Sequence, residues 1–212
     1  MTVISFTNLK GGVGKSSTAA HFIYWLSAVK KKKVSVVDAD GQGSTSTWLE
    51  SLELNIPIQR ITDPDTLAEE IPRLEEDVDY VVVDNAGNLG EATRCTLLTA
   101  KIAVIPVTPS GLDLVSAAAA VKMVRQIQKA RNGLPKAGIF INRGIKNTKL
   151  LKEAQELLGQ LEGVTAFKQI IYQRQAIADA FLQRTTLWGM RGTQDGAADY
   201  QKLFNEILRL AK

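Results

Sequence analysis

Lys10-Gly11-Gly12-Val13-Gly14-Lys15-Ser16-Ser17 follows a short alternating apolar run, Val3-Ile4-Ser5-Phe6-Thr7, and leads directly into Thr18-Ala19-Ala20-His21-Phe22-Ile23-Tyr24-Trp25-Leu26. The first run reads as a strand and the last as a helix, so a glycine-rich loop joins strand to helix. A phosphate-binding loop requires this context. Glycines turn the backbone tightly and bring several N–H groups onto one anion, and the following helix adds its positive N-terminal end. Gly11, Gly12, Val13, Gly14, Lys15, Ser16 and Ser17 are therefore the candidate nucleotide-binding residues. Lys15 is placed to reach β- and γ-phosphates, and the Ser16 hydroxyl to hold Mg²⁺. A flexible turn that happens to contain glycine and lysine is the bland alternative, and both flanks argue against it.

The usual spelling, G-x-x-x-x-G-K-[ST], begins with glycine. Here Leu9 stands at that position and a second lysine, Lys10, follows it. This K-G-G-V-G-K-S-S loop resembles the deviant phosphate loop of the ParA/MinD family, ATPases that position plasmids, chromosomes, division sites and organelles in bacteria. The resemblance implies an α/β, three-layer, doubly wound P-loop fold with a mainly parallel twisted sheet of six to eight strands. It also implies ATP and Mg²⁺ as cofactors and a homodimer formed on ATP binding, in which Lys10 crosses to the partner's nucleotide. Read locally, Lys10 only adds positive charge to its own phosphate site, and the sequence leaves both roles open.

Two further apolar strands end in carboxylates. Val34-Ser35-Val36-Val37 delivers Asp38, and Tyr80-Val81-Val82-Val83 delivers Asp84. Open parallel sheets bind ligands at the carboxyl ends of their strands, so both aspartates should face the phosphates. Asp84 fits the Walker B pattern and would join Ser16 at the ion. Asp38-Ala39-Asp40-Gly41-Gln42-Gly43-Ser44 resembles the family's first switch, usually D-x-D-P-Q-x-S, whose leading aspartate positions the attacking water. Gly41 replaces the usual proline, which frees this loop. Lys10, Lys15 and Asp38 form the candidate catalytic set. Asn85-Ala86-Gly87 stands where the family has its second switch, without the usual prolines, and Gly87 is the candidate N–H donor to the γ-phosphate.

The chain otherwise alternates strand and helix, as one domain over residues 1–212. Helices are expected over Thr45–Leu52, from Asp63-Pro64-Asp65, over Asn88–Ala100, Leu112–Ala130 and Lys149–Leu161, and at the end; Pro72 should end or kink its helix. Strands are expected at Ile56–Ile61, Ile102–Val107, Ala137–Arg143 and Val164–Tyr172. Asn142 has two readings: an adenine contact, as in related ATPases, or a plain turn residue. After the last strand, Tyr172 and Gln173 replace the family's proline and first arginine, so roles carry over poorly there. Cys95 has no metal-ligand partner nearby in sequence and reads as a small buried apolar group.

Composition narrows the function. A single cysteine excludes an internal disulfide, suits a reducing cytoplasm, and excludes iron–sulfur relatives that need more than one per subunit. The N-terminal strand leaves no room for a signal peptide. The final helix carries Tyr200, Leu203, Phe204, Ile207, Leu208 and Ala211 on one side and a mixed polar face on the other, which favours packing on the sheet over a membrane surface. Residues 1–120 hold 10 Lys and Arg against 15 Asp and Glu, whereas residues 121–212 hold 16 against 7. A basic half without motifs points to a polyanion. With the resemblance, it implies non-specific double-stranded DNA on the nucleoid, with Lys146, Lys149, Lys168, Arg174, Arg184, Arg191 and Arg209 as candidate contacts. The implied function is cargo positioning, of carboxysomes or a plasmid, with release by hydrolysis that a cargo-bound adaptor protein stimulates. A membrane-associated positioning ATPase and a metabolic ligase of the same fold are the alternatives.

Overall fold

The computed structural model describes residues 2–74, 76–88 and 90–211. In chain order the elements are β1 (Thr2–Phe6), α1 (Lys15–Tyr24) continued by a π-helical turn (Trp25–Val29), β2 (Val34–Ala39), α2 (Ser44–Glu50), β3 (Ile58–Arg60), α3 (Pro64–Leu74), β4 (Tyr80–Asn85), α4 (Glu91–Thr99), β5 (Ile102–Val107), α5 (Gly111–Ala130), β6 (Lys136–Gly144), α6 (Lys149–Gly159), β7 (Thr165–Ala166), β8 (Ile171–Tyr172), α7 (Gln175–Leu182) and α8 (Gln194–Arg209). The sheet order is β3-β2-β4-β1-β5-β6-β7, with β8 also on β6, and every recorded pairing is parallel. Strands buried on both faces explain the near-continuous apolar runs.

Alternate side chains of each strand face opposite helix layers. Ile4, Phe6, Val36, Val82 and Val104 pack with α1, α2 and α8. On the other face, Val3, Val37, Val81 and Val83 meet Leu67 and Ile71 of α3, while Ala103, Ile105 and Ile139 meet α4, α5 and α6. Tyr200, Leu203, Phe204 and Ile207 of α8 are fully buried in the first of these layers. These four side chains are thus covered by protein, while Leu208 is half-buried and Ala211 exposed. Among the described residues, no helix is long and apolar enough to cross a membrane.

Three local expectations are corrected. Val164–Tyr172 is two short strands: the Phe167 N–H still bonds the Ile139 carbonyl, and the ladder is interrupted at Lys168 and Gln169, whose N–H groups donate to the Glu206 carboxylate at 2.8 and 3.0 Å. Pro72 does not end its helix at once: the helix runs on to Leu74, with Pro72 exposed in the last turn. Cys95 is half-buried rather than core, and its thiol donates to the Pro64 carbonyl at 3.1 Å. Burial, then Asp65, Asp63 and Glu91, raise its pKa.

His21 is the polar centre of the α1 layer. Its ring stacks on Tyr200 at 4.8 Å and meets Trp48 edge-on at 5.2 Å. Nδ1 lies 2.7 Å from the Ser17 carbonyl, and Nε2 accepts from the Leu187 N–H at 3.4 Å. These partners suit the neutral ring, and burial lowers its pKa from the usual 6.5 to about 4. The folded state therefore binds fewer protons than the unfolded one between these values. This contribution is full above pH 6.5 and is lost as pH falls through 4. The stability difference between wild type and His21→Gln, from urea unfolding, should shrink by about 2 kcal/mol between pH 7.5 and 5.

Candidate nucleotide and ion site

Strands β1, β2 and β4 end together, with Asp38 and Asp84 as register partners and Phe6 beside Asp84. The loop after β1 is anchored by Asn8, whose Nδ2 donates to the Pro106 carbonyl at 2.7 Å and whose Oδ1 accepts from the Lys10 N–H at 3.2 Å. Sequence reading missed this residue. Gly12 and Gly14 have φ of 77° and 93°, a region that favours glycine. Gly14 also has Asn142 against it: an added Cβ would lie 2.0 Å from Asn142 Nδ2. Gly87 lies on the loop as well, with a would-be Cβ 3.0 Å from the Gly11 nitrogen.

Lys15 opens α1, is almost wholly buried, and donates from Nζ to the Lys10 carbonyl at 3.1 Å. Burial lowers its pKa, against the pull of Asp84 and Asp40. Asp84 is fully buried; its Oδ2 accepts from the Thr45 hydroxyl at 2.6 Å, while Oδ1 has no protein partner. Burial pushes its pKa up to about 7, against the lowering effect of the nearby Thr45 and Ser16 hydroxyls. A buried carboxylate with one unclaimed oxygen, beside a serine hydroxyl, is a hard oxygen-donor set that fits Mg²⁺. Bound there with a nucleotide, the ion would neutralise phosphate charge. Asp38 is also fully buried, yet satisfied: Oδ2 accepts from the N–H and hydroxyl of Ser46, both at 2.8 Å, and Oδ1 from the Asp40 N–H at 3.2 Å.

Lys10 points the other way. Its side chain is 43% exposed and forms an ion pair with Asp113 in the first turn of α5. Burial opposes the Asp113 charge, but hydrogen bonds from Lys10, Thr108 and Ser110 prevail and hold its pKa below the usual value. Asn85, in the region resembling the second switch, is core: it donates to Ser5 Oγ and the Phe6 carbonyl and accepts from the Thr96 hydroxyl at 2.6 Å.

A cavity of about 410 Å³ opens beside Gly14 and Ser17, lined by Asn142, Tyr172, Gln173 and Ile177 among others. Asn142 is buried in β6 and donates to the Val13 carbonyl at 2.8 Å, so it is not a turn residue. Of the candidate DNA contacts, Arg174 pairs with Asp199 at 2.8 Å and its side chain is 31% exposed. Lys146, Lys149, Lys168, Arg184, Arg191 and Arg209 are exposed.

A parallel doubly wound sheet with this loop, two strand-end carboxylates and a flanking cavity defines a P-loop nucleotide-binding domain. The chain belongs to the family of the CobQ/CobB/MinD/ParA nucleotide binding domain, whose profile matches residues 4–187. It is 30% identical to the maintenance of carboxysome distribution protein A of Gloeobacter kilaueensis, over 98% of this chain and 94% of that one. The protein of the same name from Halothiobacillus neapolitanus is 26% identical over 97% and 95%. Among solved structures, apo McdA of Cyanothece superposes with a TM-score of 0.78 at 20% identity over the whole of both chains. The septum site-determining protein MinD of Pyrococcus horikoshii, complexed with Mg-ADP, also gives 0.78 at 20% identity, covering 99% of this chain and 97% of that one.

Gly12→Ala and Gly14→Ala separate backbone strain from crowding. Nothing lies within 4 Å of a Cβ at position 12, so that change should cost about 1–2 kcal/mol of left-handed strain. Gly14→Ala should cost clearly more and displace Asn142, as read by urea unfolding.

Proposed function

We propose that this protein is an ATP-driven positioning ATPase that distributes carboxysomes by binding the nucleoid. The observation that carries the reading is the alignment, over nearly the full length of both chains, with two carboxysome-distribution proteins. The site geometry supports the nucleotide part. Backbone N–H groups of Gly11 to Ser17 and the Lys15 ammonium would hold the phosphates, with Ser16 and Asp84 holding Mg²⁺. Asp38 would orient the attacking water, and Gly87, against the loop at Gly11, would sense the γ-phosphate. Asn142 keeps its Oδ1 for an adenine amino group while Nδ2 holds the Val13 carbonyl.

The lysine pair supports the dimer. Lys10 is exposed at the loop entrance and held by Asp113, a partner that a second subunit's triphosphate can replace with more negative charge. Two copies joined around two ATP molecules would set their basic halves side by side and contact duplex phosphates without reading bases. Hydrolysis would part the dimer and release DNA in the cytoplasm. The phosphate loops hold no arginine finger, so turnover alone should be slow and a cargo-bound adaptor would accelerate it.

The test is DNA retention by the purified chain. Mg-ATP should confer it, ADP should not, and salt should weaken it steeply, because each neutralised phosphate releases counterion. Equal retention in ADP, or none in ATP, would overturn the reading. Lys10→Ala should stay monomeric in Mg-ATP by light scattering, whereas Asp38→Ala should dimerise and fail to hydrolyse ATP.

A further inference from the structure

Helix α2 reaches both strand-end carboxylates through consecutive side chains. The Thr45 hydroxyl donates to Asp84 Oδ2 at 2.6 Å, and the Ser46 N–H and hydroxyl donate to Asp38 Oδ2 at 2.8 Å. All four residues are fully buried. Because Asp38 and Asp84 are paired across β2 and β4, one helical turn spans the two.

The bonds divide each carboxylate differently. Ser46 and Asp40 between them occupy both oxygens of Asp38. Thr45 occupies a single oxygen of Asp84 and leaves Oδ1 bare in the interior. One firm bond fixes the rotation of a carboxylate, and the oxygen left over then has a defined direction. The Thr45 hydroxyl also lies 3.5 Å from the carbonyl of Ser16, the residue whose own hydroxyl is the other candidate ion ligand.

We propose that Thr45 is a positioning residue for the divalent ion: it holds Asp84 so that Oδ1 faces the metal. Ser46 performs the separate task of holding Asp38 for hydrolysis. The proposal rests on the nucleotide-and-ion reading above.

The experiment is a Mg²⁺ titration of fluorescent ATP-analogue binding to the full chain, run beside steady-state ATP hydrolysis. Thr45→Val should raise the Mg²⁺ concentration for half-saturation roughly tenfold, without changing nucleotide affinity in EDTA. Thr45→Ser, which keeps the hydroxyl, should restore the wild-type midpoint. Ser46→Ala should leave that midpoint in place and lower kcat. An unshifted midpoint in Thr45→Val, or an equal shift in Ser46→Ala, overturns the proposal. Thr45→Ala carries the same expectation should the valine variant not fold. A wild type that binds no nucleotide at any Mg²⁺ concentration would instead overturn the nucleotide reading on which the proposal rests.

Discussion

Two carboxylates lie buried side by side at the ends of neighbouring parallel strands, and the surrounding edge is arranged around their charge. A buried anion is costly unless it is paired or hydrogen-bonded. Asp38 meets that cost with donors from Ser46 and Asp40. Asp84 meets it only in part, through Thr45 and the nearby Lys15. One oxygen stays without a protein partner, and the proposed Mg²⁺ would balance it. The proposed ion role follows from this imbalance.

The same accounting separates the two lysines of the loop. Lys15 is buried, with Asp84 and Asp40 nearby and its ammonium bonded to the Lys10 carbonyl. Lys10 stays at the surface, neutralised by an aspartate on α5. Asp113 itself is buried and also hydrogen-bonded by the Thr108 hydroxyl, so it keeps a partner if Lys10 exchanges it for a phosphate on a second subunit. This difference in burial is what the proposed division of labour between the lysines requires.

Much of this was legible in the chain itself. The apolar runs Val34–Val37, Tyr80–Val83 and Ile102–Val107 announce buried parallel strands because both of their faces are covered. The strand, glycine loop and helix around Lys15 stand together because local backbone chemistry requires that order. Less was legible where a distant side chain decides the outcome. Glu206 splits Val164–Tyr172 by taking the N–H groups of Lys168 and Gln169, and Asp199 pairs with Arg174 from another helix. Neither neighbour is near in sequence.

The sequence by itself determined the loop, the alternation of strands and helices, and the two aspartates at strand ends, since each is encoded by contiguous residues. Only the tertiary structure decided which oxygen of Asp84 is left bare, that Thr45 and Ser46 grip neighbouring carboxylates, and that Lys10 rests on Asp113. Those facts depend on strand register and on helix packing across separations of 8 to 39 residues for the carboxylate bonds. A hydroxyl in a switch-like segment looks the same whether it faces water or a buried anion, and the fold is what brings the anion to it.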